Sequence, residues 1–387
     1  MKEKIGYFLK RCLRLVLRLF WAFPIKQNRI FCTNLCTPQY ACNPKYITEY
    51  LLEKYPGQFD FVWMADIPED ICQKKGIRTV KRDTISFFYN ILTARVFISN
   101  AGMPTYIPFR KRQTTIATWH GGGAYKHAGL NVPNVTETVR KTFTSAAQAT
   151  NLFLSSSQSF TESVIRKAFI YGGEVLASGL PRNDILFTAH ADIAAAIRRQ
   201  YAVPDGVRIL LYAPTYRGDF YHASNEGAEI QGLHVQSCIK AAQERFGGEW
   251  CLFYRTHHAI AAHMGCTSCI DVSDYPDMQE LLCTVDILIT DYSSSMWDFA
   301  LTKKPGFLFA TDVQKYKDER DFDTPMSEWP YVVATNNAEL VEAIRNFDKD
   351  AHLKKVEKHL SDLGSYEKGQ ACELVGKRIY EECFGRT

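Results

Sequence analysis

A histidine followed by three glycines is the group in the first half of the sequence best suited to chemistry. The β-branched stretch at residues 114–118 is followed by Trp119, His120, Gly121, Gly122 and Gly123. Glycine lets the backbone approach a phosphate closely, and a histidine at a strand end can move a proton near neutral pH. Lys126 adds a positive charge nearby. The stretch predicts either a phosphate cradle or a base that meets a substrate hydroxyl.

Two further segments carry groups that suit a phosphate. The segment SGLPRND at residues 178–184 follows a predicted strand, and the planar guanidinium of Arg182 can hold a phosphate through two hydrogen bonds. The competing interpretation is an ion pair between Arg182 and Asp184. The segment YAPTYRGD at residues 212–219 repeats the design, with Pro214, Thr215 and Arg217 soon after a strand.

The second half adds an arginine, a histidine and a serine pair. Arg255 and His257 close the predicted strand at residues 250–255, and the side-chain period of two puts them on one side if the strand continues. In TDYSSSMWD, at residues 290–298, an apolar strand runs into a helix start that carries Asp291, Ser293, Ser294 and Asp298. Hydroxyls and free N–H groups there favour an anion. The alternative is an ordinary N-cap, in which a serine only satisfies the backbone.

Short apolar segments alternate with helical ones along the chain after Pro24, which predicts an α/β fold with mainly parallel sheets. The first series of predicted strands lies at residues 29–31, 59–64, 96–99, 114–118, 152–155 and 174–177. The second lies at 208–212, 250–255, 270–272, 287–290, 307–309 and 331–333. Helices are predicted at 44–54, 191–200, 338–347 and 369–384.

The two series predict two doubly wound, Rossmann-like domains, which fits a chain of 387 residues. We assign residues 25–195 to the first domain and residues 196–387 to the second, with a separate helix at residues 1–24. The alternative for the last predicted helix, at 369–384, is that it reaches back to the first domain. Ligands of such sheets lie beyond the carboxyl ends of the strands. We therefore expect the polar groups above to face a cleft between the domains.

The first 24 residues predict a basic amphipathic helix. Lys4, Arg11, Arg14 and Arg18 fall on one face, and apolar residues spread around the other. The arginines interrupt any run long enough to span a bilayer. With Trp21 near its end, the segment is typical of a helix that lies in the interface of an anionic membrane. The alternative is a helix packed on the protein's own surface.

Charge and cysteine content argue against a nucleic-acid-binding protein, a disulfide-rich secreted protein and a zinc protein. Residues 1–26 hold seven basic residues and one acidic residue, so with a net charge of +4 the remainder carries −2, and no nucleic-acid surface is predicted. Twelve cysteines in 387 residues, without a clear secretory signal, favour reduced thiols. A cluster with some zinc character contains a single CxxC motif, so we predict no structural metal. Its members are His257, His258, His263, Cys266 and Cys269.

Taken together, six segments resemble the CDP-glycerol:glycerophosphate glycerophosphotransferases, the teichoic-acid polymerases and primases of Gram-positive bacteria. In order they are NPKYITEYLL from Asn43, TWHGGGAYK from Thr118, SGLPRND from Ser178, YAPTYRGD from Tyr212, YRTHH from Tyr254 and ITDYSSSMWDFALTKKP from Ile289. Their order and spacing are more specific than any one segment. The resemblance implies a GT-B architecture, with the active site in the cleft between two Rossmann-like domains, and a peripheral location on the cytoplasmic face of the bacterial cell membrane.

The resemblance also implies an activity, the transfer of a polyol phosphate from CDP-glycerol or CDP-ribitol to a hydroxyl of a lipid-linked teichoic-acid or capsule acceptor. CMP is released and no cofactor is implied. His120 and His257 match the two catalytic histidines of the family. The donor-holding positions are matched by Arg182, Pro214, Thr215, Arg255, Ser293, Ser294 and Asp298. As further substrate contacts we add Trp119, Gly121, Gly122, Gly123, Arg217 and Asp291.

Roles follow from this set. An acceptor hydroxyl needs a base, which we assign to His120, while His257, Arg255 and the serine pair stabilise charge on the pyrophosphate. The glycines then belong to the acceptor side. Many members have a Thr-Pro pair where this chain has Gly122 and Gly123, and Thr256 precedes the second histidine. The polyol, the acceptor and the number of units added stay open.

Two other functions fit parts of the pattern. A GT-B glycosyltransferase would share the fold and the membrane helix but would use a nucleotide sugar. A binding protein could keep the fold without catalysis, although both histidines and the serine pair favour an enzyme. Because no DxD-type carboxylate pair lies where a metal would be expected, we predict that no divalent ion is essential.

Overall fold

The computed structural model describes residues 2–35, 39–215, 232–255, 269–319 and 321–385, and of residues 2–8 and 319 only the backbone. The chain divides into two compact units. One comprises residues 1–184 and 365–387, and the other comprises residues 185–364.

The first unit is built on a parallel sheet whose described strands follow the order β3-β2-β1-β4-β5-β6-β7. These strands are Lys26–Thr33 (β1), Asp60–Met64 (β2), Arg78–Thr79 (β3), Ala94–Ser99 (β4), Thr114–Ala117 (β5), Leu152–Leu154 (β6) and Glu174–Leu176 (β7). The α-helices among them are Lys2–Val16 (α1), Cys42–Lys54 (α2), Glu69–Lys75 (α3), Ile85–Thr93 (α4) and Glu137–Gln148 (α5). Shorter 3₁₀ segments lie at Leu17–Ala22, Gly129–Asn131 and Pro181–Phe187, and a π-helix lies at Phe160–Ala168.

Alternating side chains fill both faces of this sheet. Phe31 belongs to one buried apolar cluster, whereas its neighbours Ile30 and Cys32 belong to the other. Strands buried on both faces need continuous apolar sequence, which explains why the sequence predicted them. The exception is β3, which was not predicted because it has two residues, both exposed at the sheet edge.

The second unit repeats the plan with the strand order β10-β9-β8-β11-β12-β13. Its strands are Arg208–Tyr212 (β8), Trp250–Tyr254 (β9), Cys269–Asp271 (β10), Ile287–Thr290 (β11), Gly306–Phe309 (β12) and Val332–Ala334 (β13). Its helices are Ala191–Gln200 (α6), Val235–Phe246 (α7), Met278–Thr284 (α8), Ser295–Ala300 (α9), Val313–Glu319 (α10), Asn337–Arg345 (α11) and Lys349–Asp362 (α12), with a 3₁₀ turn at Met326–Glu328.

The last helix, Ala371–Phe384 (α13), belongs to the first unit and not to the second domain, in which the sequence boundaries put it. Val375 and Ile379 are fully buried in the same cluster as Ile30. Gly376 lies so close to the Tyr50 ring that a Cβ there would be 2.5 Å from it. The division after residue 184 also precedes the predicted boundary at residue 195, because α6 packs on α8 within the second unit.

Both sheets have the doubly wound order, in which successive strands are first added on one side of the first strand and then on its other side. The reversal lies between β1 and β4 in the first unit and between β8 and β11 in the second. Ligands of doubly wound sheets bind at this switch point, outside the carboxyl ends of the strands. The order of the strands along the sequence does not show where these two switch points lie.

The amino-terminal segment is a helix packed on the first unit by its end. After α1 the chain tightens into the 3₁₀ turn at Leu17–Ala22, and Leu17 is buried in the core. Lys10, Arg11 and Arg18 are exposed, whereas Arg14 donates hydrogen bonds to the carbonyls of Thr105 (2.7 Å) and Ile107 (2.8 Å). Across the described residues, the structure contains no helix with the length and apolar character needed to cross a bilayer.

Candidate active site

The candidate base lies just beyond β5. Nδ1 of His120 is the donor of a hydrogen bond to the carbonyl oxygen of Asn100 (2.8 Å), because a carbonyl oxygen can only accept. Nδ1 therefore carries the hydrogen and Nε2 keeps its lone pair. This is the tautomer that a general base needs.

Asn100, which fixes this tautomer, is itself anchored at the switch point of the first sheet. Its Nδ2 donates to Oδ1 of Asn34 (2.7 Å), and its Oδ1 accepts from the N–H of Leu35 (3.0 Å). Asn34 follows β1 and Asn100 follows β4. The histidine orientation is thus set by two strands that are neighbours only because of the sheet order.

The surroundings of His120 keep its ring neutral. Loss of hydration lowers its pKa to about 4, the hydrogen bond to the Asn100 carbonyl opposes this, and the positive charges of Arg182 and Lys126 lower the pKa further. The ring is nevertheless only partly buried by surface area. At neutral pH it offers an uncharged nitrogen to a substrate.

The residues around His120 shape the loop. Trp119 has a left-handed backbone (φ 54°), and its ring lies 4.2 Å from the His120 ring and 4.6 Å from the Phe169 ring. Gly123 is also left-handed (φ 69°), and its N–H donates to Oγ of Ser156 at 3.4 Å. The three glycines are buried. Trp119 thus supports the histidine, and the glycines allow a tight chain path.

Arg182 lies in the same unit as His120. Its side chain is 7% exposed, its backbone N–H donates to Oδ1 of Asn43 (3.0 Å), and its Nη1 lies 3.9 Å from Sγ of Cys42. The competing interpretation paired it with Asp184. Both carboxylate oxygens of Asp184 instead accept from backbone N–H groups of α13, those of Ala371 (3.0 Å) and Cys372 (2.7 Å).

Sequence reasoning missed Glu367, which lies in the carboxyl-terminal segment and binds the loop at residues 178–184, called here the Arg182 loop. This carboxylate is 9% exposed and accepts from the N–H of Leu180 (3.0 Å) and from Nδ2 of Asn183 (2.9 Å). A Cβ on Gly179 would lie 2.6 Å from Glu367 Oε2, so the loop needs a glycine there. No local pattern marks Glu367, because its partners are more than 180 residues away in sequence.

In the second unit, the predicted donor groups meet at the switch point. Thr215 follows β8 and donates to Oδ1 of Asp291, which follows β11, through its N–H (2.8 Å) and its hydroxyl (2.5 Å). Asp291 is 1% exposed, whereas Pro214 and Thr215 are partly exposed. The carboxylate therefore ties the two loops together from below the surface.

The serine pair lies at the start of α9. Ser293 and Ser294 are partly exposed, and the Ser294 side chain makes no capping hydrogen bond. Oγ of Ser293, one residue before the N-cap Ser294, accepts from the N–H of Ser295 (3.3 Å), so of the two serines it is Ser293 that satisfies a backbone N–H. Asp298 is 1% exposed and accepts from Nε2 of Gln279 (3.0 Å), which joins α9 to α8.

Arg255 extends from the end of β9, beside β8. Its Nη1 donates to the carbonyls of Val272 (3.1 Å) and Tyr275 (2.5 Å), and burial lowers the pKa of its guanidinium. The group is partly exposed. Three neighbouring strand ends, those of β9, β8 and β11, are thus followed by a guanidinium or by hydroxyls.

Two predicted site residues, Arg217 and His257, lie outside the described residues, as do Thr256 and most of the cysteine–histidine cluster. Among the residues that the structure does describe, no three potential metal ligands come together. The cysteines in those ranges are all free thiols.

Two doubly wound parallel units, each with polar groups at its switch point, give the chain an α/β fold of the GT-B class. The chain belongs to the CDP-glycerol:poly(glycerophosphate) glycerophosphotransferase family, whose sequence model matches residues 15–381. It is therefore an enzyme of the glycerophosphotransferase class, as its sequence motifs predicted.

Individual relatives agree with this family. The chain is 27% identical to a teichoic acid poly(glycerol phosphate) polymerase of Bacillus spizizenii, with 100% of both chains covered. It is 28% identical to the enzyme of the same name from Staphylococcus epidermidis, over 92% of this chain but only 51% of that protein, so it spans about half of the longer relative. Teichoic acid ribitol-phosphate polymerases match as well.

A solved structure shares the fold over nearly the whole chain. The wall teichoic acid polymerase TagF, as a histidine variant soaked with CDPG, superposes with a TM-score of 0.81 at 26% identity, covering 99% of this chain and 96% of that one. The fold class predicted from the alternation of strands and helices is confirmed.

Proposed function

We propose that this enzyme transfers glycerol phosphate, or alternatively ribitol phosphate, from a CDP-polyol to a hydroxyl of a lipid-linked wall polymer. The observation that carries the proposal is the state of His120, neutral, with Nδ1–H held by a carbonyl and Nε2 available. A hydroxyl nucleophile needs such a base, whereas a binding protein does not. Relatives named for glycerol phosphate and for ribitol phosphate support both polyols.

The reaction balances without a cofactor. The acceptor oxygen attacks the β-phosphorus of the CDP-polyol and forms a new phosphorus–oxygen bond. The bond from that phosphorus to the bridging oxygen breaks, and CMP leaves with the electron pair. Nε2 of His120 takes the proton of the acceptor hydroxyl, and solvent then removes it.

We assign donor binding to the second unit. The hydroxyls of Thr215, Ser293 and Ser294 and the guanidinium of Arg255 lie at three adjacent strand ends, where a doubly wound sheet binds phosphates. Asp291 and Asp298 then act as supports of these loops, and not as direct contacts. Sequence alone assigns Arg217 and His257 to the same donor, with His257 stabilising the leaving phosphate.

Arg182 takes a different place in this scheme from the one its motif implied. Its charge lowers the pKa of His120, so it lies within electrostatic reach of the base. We infer that it attracts a phosphate towards the histidine, from the donor or from the acceptor chain. Mutation of Arg182 should therefore affect turnover as well as donor affinity.

A donor screen tests the function. Purified protein is given CDP-glycerol, CDP-ribitol or a UDP-sugar with a lipid-linked acceptor, and nucleotide release and product mass are measured. CMP release with addition of a polyol phosphate is expected. Transfer of a sugar from UDP-sugar would establish the glycosyltransferase alternative, and absence of release from all three would establish the binding-protein alternative.

An EDTA arm of the same screen tests the charge scheme. Because guanidinium, hydroxyl and amide groups neutralise the pyrophosphate in this scheme, the rate in EDTA should stay within about twofold of the untreated rate. A tenfold loss that Mg²⁺ restores would contradict it.

We also propose that the first unit binds an anionic membrane peripherally through its amino-terminal segment, with Leu9, Leu15, Val16 and Leu19 as the inserted residues. Each is at least 60% exposed. Ile85 on α4, 80% exposed, extends this apolar surface, since α4 packs on the 3₁₀ turn that carries Leu19. Exposed apolar side chains among arginines are the composition of an interfacial helix.

A further inference from the structure

Asn43 joins the two segments of the first unit that carry His120 and Arg182. It lies in the first turn of α2 and is fully buried. It also begins the first family-like segment of the sequence, yet no role in the reaction follows from that segment. Its position in the fold suggests one.

The Asn43 amide uses both of its N–H donors and its carbonyl oxygen. Nδ2 donates to the carbonyl oxygens of Trp119 (2.9 Å) and Thr118 (3.3 Å), and Oδ1 accepts from the N–H of Arg182 (3.0 Å). The partners assign the amide orientation, because carbonyl oxygens only accept and a backbone N–H only donates. A single side chain thus connects two loops that are more than 60 residues apart in sequence.

The hydrogen bond from Asn43 to the Trp119 carbonyl stabilises a residue with an unfavourable backbone conformation. Trp119 has a left-handed backbone (φ 54°), which a bulky side chain rarely adopts without support. Its carbonyl belongs to the peptide that leads directly into His120. A change in this peptide would rotate the His120 ring away from the Asn100 carbonyl.

We propose that Asn43 is a positioning residue, which holds the backbone before His120 and the backbone at Arg182 in fixed relation to one another. The inference rests on the proposed role of His120 as the base. Asn43 itself touches neither donor nor acceptor in this scheme. It acts through the peptide of Trp119 and through the Arg182 N–H.

A matched control separates this role from ordinary core stability. Asn90 lies on α4 in the same unit, is 4% exposed, and donates through Nδ2 only to local groups, the carbonyl (2.7 Å) and the Oγ (3.2 Å) of Ser86. Asn90→Ala removes a buried amide of the same size without touching either loop. Asn43→Ala removes the amide that joins them.

The experiment measures kcat, both KM values, thermal stability and the NMR titration of the His120 ring in wild type, Asn43→Ala and Asn90→Ala. Asn43→Ala is expected to lower kcat at least about tenfold more than Asn90→Ala at a comparable loss of stability. The pKa of His120 should rise from about 4 towards that of a free histidine, because a loosened loop lets water reach the ring.

A second variant keeps the test decisive if Asn43→Ala does not fold. Asn43→Asp keeps the volume and the acceptor for the Arg182 N–H, but a carboxylate cannot donate to Trp119. It should raise the pKa of His120 further, since a negative charge favours the imidazolium. A kcat within twofold of Asn90→Ala together with an unchanged His120 titration, in whichever Asn43 variant folds, overturns the proposal.

The titration also separates this inference from the proposed function. If His120→Ala retained activity, the assignment of the base would fail, yet a shifted His120 pKa in the Asn43 variants would still show that Asn43 controls the ring. An unshifted pKa together with a kcat within twofold of Asn90→Ala would refute the positioning role even if His120 proved essential.

Discussion

At the residue scale, the hydrogen-bond partner of Nδ1 decides which nitrogen of a histidine carries the proton, but this alone does not mark a base. His359 in the second unit has the same kind of bond, from Nδ1 to the Glu328 carbonyl (2.6 Å), and burial lowers its pKa to about 4 as well. It is only 3% exposed, however, and packs beside Trp297. His120 differs because it is partly exposed and its Nδ1 is bonded to Asn100, which lies at the switch point of the first sheet. A lowered histidine pKa thus indicates a candidate base only where a substrate can reach the ring.

Removing the base should abolish turnover and leave donor binding nearly intact. We expect His120→Ala to lower kcat by about 100-fold or more, the usual contribution of a general base. The dissociation constant of CDP-glycerol, measured by calorimetry, should change little because the proposed donor groups lie in the second unit. Near-normal CMP release by this variant would refute the assignment. His190→Ala, which removes a partly exposed histidine before α6, is the matched control.

The pH response of His120 follows from its environment. Its folded pKa of about 4 lies below the value of 6.5 for a free histidine, so the unfolded chain binds more protons between these values. This histidine's contribution to stability is complete above pH 6.5 and is lost as the pH falls towards 4. NMR should show no titration of its ring between pH 7.5 and 5.5. A midpoint near 6.5 would contradict the burial argument.

The serine pair gives a prediction for the donor. Ser294→Ala should weaken CDP-glycerol binding about tenfold, since a hydroxyl bonded to a charged phosphate is lost. The melting temperature should hardly move, because the Ser294 side chain makes no capping bond. The control is Ser361→Ala, an exposed serine of α12 in the same unit. Equal donor affinity of both variants would remove Ser294 from the site.

At the element scale, the carboxyl-terminal helix is a structural part of the first unit. It packs beside α2 on the same apolar cluster, and its Glu382 accepts from Arg95 (2.8 Å) and Thr114 (2.7 Å) at the start of β4 and β5. Its amino terminus is capped by Asp184 from the Arg182 loop. The loop and the helix therefore stabilise one another.

Loss of this cap should be measurable as stability. Asp184→Ala leaves two backbone N–H groups at the start of α13 without their acceptor, which should cost about 1 to 2 kcal/mol of unfolding free energy. Urea denaturation followed by circular dichroism measures the change. Asp205→Ala, in an exposed turn, should be nearly neutral. If both variants have the same midpoint, the cap contributes nothing.

At the scale of the whole molecule, the amino-terminal segment has two tasks. Its end belongs to the fold, since Leu17 is buried and Nε1 of Trp21 donates to the Pro108 carbonyl (2.9 Å). Its exposed apolar residues remain available for a membrane. Deleting the first 22 residues would mix both effects, so point substitutions are the cleaner test.

Substitution of the exposed leucines should separate binding from folding. The double variant Leu15→Ser with Leu19→Ser should sediment several-fold less with anionic vesicles and melt at the wild-type temperature, because both side chains lie on the surface. Leu374→Ser, on α13, is the control for losing exposed apolar area. Unchanged sedimentation of the double variant would refute membrane binding through this face.

The local patterns of the sequence determined much of this protein. Apolar runs predicted β8 and β11 at their observed limits, and they placed His120, Thr215 and Ser293 at the ends of strands. These inferences succeed because side-chain periodicity and turn residues act within about ten neighbouring positions. Family-like segments then identified the class of enzyme. Arg217 and His257 remain predictions from sequence.

Tertiary structure decided the rest, through contacts between distant segments. Strand order set the two switch points, which paired Asn34 with Asn100 and Thr215 with Asp291, and alternation along the chain carries no information on strand order. The return of α13 and the bridging amide of Asn43 depend on the same packing. The sequence shows which groups could react, but only the fold shows which nitrogen of His120 carries its proton, and why.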